Sequence, residues 1–274
     1  MINKKFSIFK MTLRFFYRVK SYVVLRIMIF VQKNYKKDII KEQNEMFCEL
    51  GFSRLDGVDL INKICRNEFC CNYDETNGMF SEHLVLLSSI SLVKEDYNKI
   101  LEIGTFDGKC ALILSRLFQD SKIDTLDLPQ NSKEYKNTYH RKTTSDQFIR
   151  KRDENLKKSN RINFIEMNSV ELTKHKRNTY DLIWIDGAHG YPVVAIDILN
   201  ACRLIRKDGI ILLDDVHLNV KKSDSLYSSI ATYEMLNLLK DTNIISDFKL
   251  IKKRLDVKFN IKNYTEKFIG VIRF

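Results

Sequence analysis

Among its 274 residues the chain has only two prolines (Pro129 and Pro192), nine glycines, one tryptophan (Trp184) and five histidines. So little Pro and Gly excludes collagen-like and low-complexity loop architectures. The 44% hydrophobic content supplies a core that a disordered chain would lack. A disulfide framework is missing as well. Cys48, Cys65, Cys70, Cys71, Cys110 and Cys202 are scattered, and the adjacent Cys70 and Cys71 cannot easily bridge each other. We expect reduced thiols in a cytoplasmic compartment. Cys65, Cys70 and Cys71 have no matching second pair for a metal knuckle and are read as small buried hydrophobes. The sequence has no long apolar run either: SYVVLRIMIFV at 21–31 is interrupted by Arg26 and falls well short of the roughly 20 residues of a spanning helix. No small-x-small cleavage site follows it, so a cleaved signal peptide is not expected. The length fits one domain with an extension, or two small domains.

The formal charge is +11, and it is concentrated at one end. Residues 1–41 hold eleven Lys or Arg against Asp38 alone, a net +10, which leaves the other 233 residues at +1. A near-neutral body argues against a nucleic-acid groove in the folded domain. In the basic segment Phe6, Phe9, Leu13 and Phe16 recur at helical spacing beside the stripe Lys10, Arg14 and Arg18. Such a helix suits peripheral contact of residues 1–31 with an anionic membrane surface, on its inner, cytoplasmic face. The plainer reading is a helix packed on its own domain or on a partner. Homo-oligomerisation is left open.

From 42 to 97 the pattern is helical and irregular, with polar turns near 72–77 and a helix over about 81–92. The chain then alternates. Strands are expected at 99–103, 122–126, 162–166, 181–185 and 209–213, with helices at 109–118 and 191–206 and a polar helical stretch at 132–158. A helix at about 226–240 and strands at 247–253 and 267–273 close the chain. The fold class expected is α/β: a Rossmann-like open sheet of about seven strands, mostly parallel with a reversed C-terminal edge strand, helices on both faces and a helical N-terminal extension. The division is 1–41 extension, 42–97 helical cap on the substrate side, and 98–274 catalytic domain.

Ligands bind open α/β sheets at the carboxyl ends of the strands. After the first strand come Glu102, Ile103, Gly104, Thr105, Phe106, Asp107 and Gly108, a glycine-containing turn entering a helix. Phe106 stands where a dinucleotide fingerprint needs a glycine to admit a pyrophosphate, which disfavours that ligand. After the second strand comes Asp127, 19 residues beyond Gly108, a carboxylate able to accept both hydroxyls of a ribose. Ribose without pyrophosphate suggests a nucleoside. Either feature alone fits an ordinary strand–turn–helix; together and in order they are harder to dismiss. Asp186 and His189 follow the fourth strand, and Asp214, Asp215 and His217 follow the fifth. Neighbouring strands lie about 4.8 Å apart, so the three carboxylates can share one hard cation, for which Mg²⁺ suits an all-oxygen set. For any one Asp, a helix cap or a solvated acid is the plainer reading. His189 is the preferred base, with a side chain that titrates near neutrality; His217 could equally be structural.

The segments KILEIGTFDGKCALILSRLF, IDTLDLP and YDLIWIDGAHGYPVVAIDILNACRLIRKDGIILLDDVH, with the closing hairpin, resemble class I S-adenosylmethionine-dependent methyltransferases over about residues 78–274. The acids after strands four and five resemble the divalent-metal-dependent O-methyltransferases of the catechol and macrolide-sugar type. The resemblance implies that Gly104, Thr105, Phe106 and Gly108 line the methionine part of S-adenosylmethionine, with Glu102 supporting the turn. It places Asp127 on the ribose, Leu128 on the adenine face, and Ser169 with Asn168 at the adenine edge. Asp186, Asp214 and Asp215 fall on metal-ligand positions. His189 stands where catechol-type enzymes carry a Lys base, and the second Asp of the pair is often Asn in that type. The expected function is Mg-assisted O-methylation of a small hydroxylated acceptor: a sugar, catechol or natural-product diol. The alternatives are a metal-independent methyltransferase of the same fold and a noncatalytic membrane-docked scaffold.

Overall fold

A computed structural model describes residues 19–20, 22–23, 26–27, 39–73, 82–93, 96–137, 145–220, 229–253 and 267–274. The basic helix expected at the N-terminus, apart from six of its residues, residues 138–144 of the expected helical stretch 132–158 and the start of the helix expected at about 226–240 lie outside the described residues. After the helical residues between 19 and 27, the described chain forms α1 (Ile39–Glu49), α2 (Arg54–Phe69) and α3 (Glu82–Ser91) ahead of the sheet. The alternating region follows as β1 (Lys99–Ile103), α4 (Lys109–Leu117), β2 (Lys122–Asp127), α5 (Lys133–Asn137), α6 (Ser145–Leu156), β3 (Ile162–Glu166), β4 (Tyr180–Ile185), α7 (Val193–Leu204) and β5 (Ile205–Val216). It ends with α8 (Ala231–Asp241), β6 (Lys249–Lys252) and β7 (Phe268–Arg273).

The seven strands form one sheet in the order β3-β2-β1-β4-β5-β7-β6. β1 to β5 pair in parallel, and β7 runs antiparallel between β5 and β6. The order reverses at β1, so ligands belong at the carboxyl ends of β1, β2 and β4. Both faces are covered, and period-two alternation divides each strand between two cores. Leu182 and Trp184 of β4 pack with α1, α2, α3 and α4, while Ile183 and Ile185 pack with Val194 and Ile198 of α7 and Leu236 of α8. Burying each such Leu or Ile side chain stabilises the fold by roughly 1.5–3 kcal/mol.

The helical segment before the sheet is fastened by a buried ion pair. Ser53 caps α2, accepting from Asp56 N. Arg54 at the start of that helix donates from Nε to Glu82 Oε1 at 2.5 Å and from Nη2 to Glu82 Oε2 at 3.0 Å. Both side chains are withdrawn from water, and burial raises the Glu82 carboxyl above its ordinary pKa despite the guanidinium.

Two boundaries differ from expectation. The polar stretch 132–158 contains two helices, α5 and α6, and β5 runs for 12 residues from Ile205 to Val216. Asp214 and Asp215 therefore belong to β5 itself. Leu213 pairs with Gly270 and Val216 with Phe268, so two residues of β5 oppose one of β7. This is a β-bulge, with Asp215 at φ +49°. All six cysteines are free thiols.

Candidate active site

The β1 turn is built on glycines that no other residue could replace without displacement. Gly104 has φ +107°, and a Cβ on it would stand 2.2 Å from the Asp186 carbonyl oxygen, so the turn lies directly against the backbone leaving β4. Gly108, at φ +73°, opens α4. Between them Phe106 takes φ +46° and its N–H donates to Asp127 Oδ2 at 3.2 Å. The tips of β1 and β2 are thus joined through the two positions expected to face the cofactor. Asp127 also accepts at Oδ1 from Leu128 N, 2.8 Å away.

Beneath the turn Glu102 is fully buried. Its Oε2 accepts from Thr125 Oγ1 at 2.5 Å, and Thr125 Oγ1 is 2.7 Å from Thr105 Oγ1, so a side-chain relay runs from β1 through β2 back to the turn. Burial pushes the Glu102 carboxyl up to about 7, against the opposing pull of Cys110 and Thr125. After β3, Asn168 Oδ1 accepts from Val170 N and caps the short 3₁₀ helix Ser169–Lys174, with Ser169 buried at its start. A carboxylate for ribose hydroxyls beside a narrow positive-φ turn is a donor and acceptor set that fits a nucleoside cofactor.

At the ends of β4 and β5 the structure gathers Asp186, His189, Asp214 and Asp215. His189 is buried, and its Nε2 lies 3.8 Å from Asp186 Oδ1. Burial lowers its pKa below the ordinary histidine value, outweighing the pull of Asp215 and Asp214, so it is neutral at pH 7. Burial and then the adjacent Asp214 carboxylate raise Asp186 well above the usual carboxylate range, although 34% of its side chain opens to the cleft. His217 is buried at the end of β5. From the helical side, His83 of α3 stacks on Trp184 with ring centroids 4.9 Å apart, and burial brings its pKa down to about 4.

The composition-based reading missed two members of this cluster. Lys253 Nζ lies 2.6 Å from both Asp214 Oδ1 and Asp215 Oδ1, and Lys267 Nζ lies 2.6 Å from Asp215 Oδ2. Burial alone would lower the Lys253 pKa, but Asp214, Asp215 and Asp186 raise it above the ordinary lysine value. Burial would raise Asp215, yet Lys253 and Lys267 hold it far below the carboxylate range. The signal for these lysines lay in the register of the closing hairpin. Lys253 follows β6, Lys267 precedes β7, and Lys253 N donates to Lys267 O at 2.8 Å, at the end of the sheet where β5 carries its acids. Among the described residues no three His, Cys, Asp or Glu side chains are placed to share a metal ion. Asp214 Oδ1 and both Asp215 oxygens, expected to ligate Mg²⁺, are engaged by ammonium groups, so the acids as arranged do not fit a divalent ion.

The chain resembles several solved structures at low identity. The O-methyltransferase TomG from Streptomyces achromogenes, involved in tomaymycin synthesis and solved with S-adenosylmethionine, is 14% identical with a TM-score of 0.47, covering 84% of this chain and 95% of that one. A precorrin-6y C5,15-methyltransferase from Geobacter metallireducens is 17% identical with a TM-score of 0.46, covering 70% and 89%. Spermidine synthase from Thermotoga maritima is 12% identical with a TM-score of 0.41, covering 67% and 55%. No curated protein matches the sequence. The assignment rests on a family model described as a methyltransferase domain, which matches residues 101–216, the span from β1 to the end of β5. Over those residues the chain is similar to methyltransferase domains.

Proposed function

We propose that the protein methylates an oxygen of a small hydroxylated acceptor, such as a sugar, catechol or natural-product diol. The observation that carries this reading is the position of His189, buried 3.8 Å from Asp186 at the end of the strand against which the Gly104 turn is packed. In this proposal Gly104, Thr105, Phe106 and Gly108 hold the methionine part of the cofactor over Glu102. Asp127 accepts the ribose hydroxyls, and Leu128, Asn168 and Ser169 enclose the adenine. S-adenosylmethionine supplies an electrophilic methyl group on a sulfonium. Neutral His189 would take the acceptor's hydroxyl proton at Nε2 and so ready the oxygen for the methyl group, with S-adenosylhomocysteine as the other product. Positive charge on sulfur and negative charge on oxygen cancel in that step, so the buried setting of His189 favours it.

Residues 42–97 form the acceptor-side cover in this reading, because α1, α2 and α3 pack on the sheet face to which Trp184 belongs and bring His83 to it. The extension 1–41 is assigned peripheral contact with an anionic membrane. Val19, Tyr22, Val23 and Ile27 are helical and about half exposed beside Lys20 and Arg26. Co-sedimentation with anionic but not neutral vesicles is the expected result for that assignment.

The test of the function is a thermal-shift titration with S-adenosylhomocysteine, followed by its release in the presence of catechol and sugar diols. A shift that grows with ligand by mass action and disappears in Asp127→Ala supports the cofactor site. Absence of any shift in the wild-type protein refutes it.

A further inference from the structure

The acids at the end of β5 carry their own cation. In a regular strand Asp214 and Asp215 would point to opposite faces. The bulge and the positive φ of Asp215 turn both carboxylates toward one ammonium, that of Lys253. That ammonium is built in rather than carried on a free surface chain. Lys253 is 9% exposed, its N–H is bonded to Lys267 O, and the preceding carbonyl, Lys252 O, accepts from the buried Gln43 Nε2 of α1 at 2.7 Å. A second ammonium, Lys267, takes the remaining Asp215 oxygen. The two β5 carboxylates are therefore matched by two fixed positive charges. Mg²⁺ needs oxygens at about 2.0–2.1 Å in a near-octahedral set, and here the β5 oxygens on the Lys253 side already hold an ammonium at 2.6 Å.

We infer that Lys253 is the resident cation of this site, standing between Asp214 and Asp215 in place of a divalent metal, so that methyl transfer runs without one. The inference rests on the O-methylation reading for its role. There Lys253 acts as a positioning residue that keeps both acids aimed at the cleft and supplies the positive charge near the acceptor oxygen that a metal would otherwise bring. Charge balance favours this arrangement. A dication added to both lysines would leave the two β5 acids overcompensated, and one that displaced Lys253 would strand a buried ammonium.

The test is Mn²⁺ binding to the full chain, read from the loss of the free-ion paramagnetic resonance signal with S-adenosylhomocysteine present. The wild-type protein is expected to leave the signal as it is in buffer, and Lys253→Arg, which keeps the charge, to do the same. Lys253→Met frees two carboxylates and is expected to bind Mn²⁺ at least about tenfold more tightly than wild type. Wild-type binding of Mn²⁺ at micromolar concentrations overturns the inference without need of any variant. So does Lys253→Met that retains its circular dichroism and S-adenosylhomocysteine shift yet gains no affinity for the ion. In turnover the expected result is an unchanged rate in excess chelator; a loss restored by Mg²⁺ refutes it. Failure of the O-methylation reading is read separately, as the absence of the S-adenosylhomocysteine shift in the same samples.

Discussion

Glu102→Gln should make the protein more stable and a poorer binder of its cofactor. Glu102 has no exposure to solvent, and its carboxyl titrates at about 7 against an ordinary 4.5. A folded-state pKa above the unfolded value means that the native state holds a proton that the unfolded state releases. The stability associated with that proton is full below pH 4.5 and is lost as pH rises through 7. At 1.36 kcal/mol per pH unit the whole interval corresponds to about 3 kcal/mol, which water entry and local relaxation on ionisation reduce to about 1–3 kcal/mol. Gln occupies the same volume, can still accept from Thr125 Oγ1, and never ionises. Urea denaturation at pH 5 and pH 8.5 is the assay. The variant should match wild type at pH 5 and exceed it by about 1–3 kcal/mol at pH 8.5, while its S-adenosylhomocysteine shift at pH 8.5 falls. A variant less stable than wild type by the same amount at both pH values would refute the reasoning, because the cost would then be geometric and not one of buried charge.

Two further outcomes follow from the packing. Gly104→Ala places a methyl 2.2 Å from the Asp186 carbonyl at a φ of +107°, and should abolish the S-adenosylhomocysteine shift and lower the melting temperature; a melting curve within a degree or two of wild type would argue against the close approach of the two turns. Arg54→Met leaves Glu82 buried without its partner and should cost about 3–5 kcal/mol in urea denaturation, whereas Arg54→Met combined with Glu82→Leu should recover most of it. Equal losses in the single and double variants would mean that packing, and not the ion pair, joins α2 to α3.

The first four strands of the sheet were legible because each is a short apolar run closed by an acid or a glycine. KILEI, KIDTL, INFIE and DLIWI appear in the structure within a residue of their expected bounds. That the candidate residues at their tips lie at one end of the sheet followed from topology, since a parallel sheet presents carboxyl ends together. β5 was harder to read. Lys207, Asp208 and Gly209 look like a turn, and two consecutive acids look like the end of a strand, yet β5 continues through both. What carries it through Asp214 and Asp215 is pairing with β7, a contact between residues more than fifty positions apart. Lys253 was hidden for the same reason. In sequence it belongs to the run Lys252, Lys253, Arg254, which reads as a solvated basic face. Only the hairpin register and the bulge turn one of these lysines inward.

The strand order also sets a sequence in time. Chains emerge from the ribosome N-terminus first and domains gain structure as they appear. The strands β3-β2-β1-β4-β5 are contiguous in the sheet and have all been made once residue 216 has been added, the same point at which the family match ends. The cofactor turn can therefore assemble while Asp214 and Asp215 still lack the lysines that neutralise them, because Lys253 arrives 38 residues after Asp215 and Lys267 arrives 52 after it. Until β7 slots between β5 and β6, the acidic end of the nascent sheet lacks the two ammonium groups that balance it. The acids of β5 are thus made before the cations that neutralise them, and the last hairpin acts as the clasp that balances the charge at that end of the sheet.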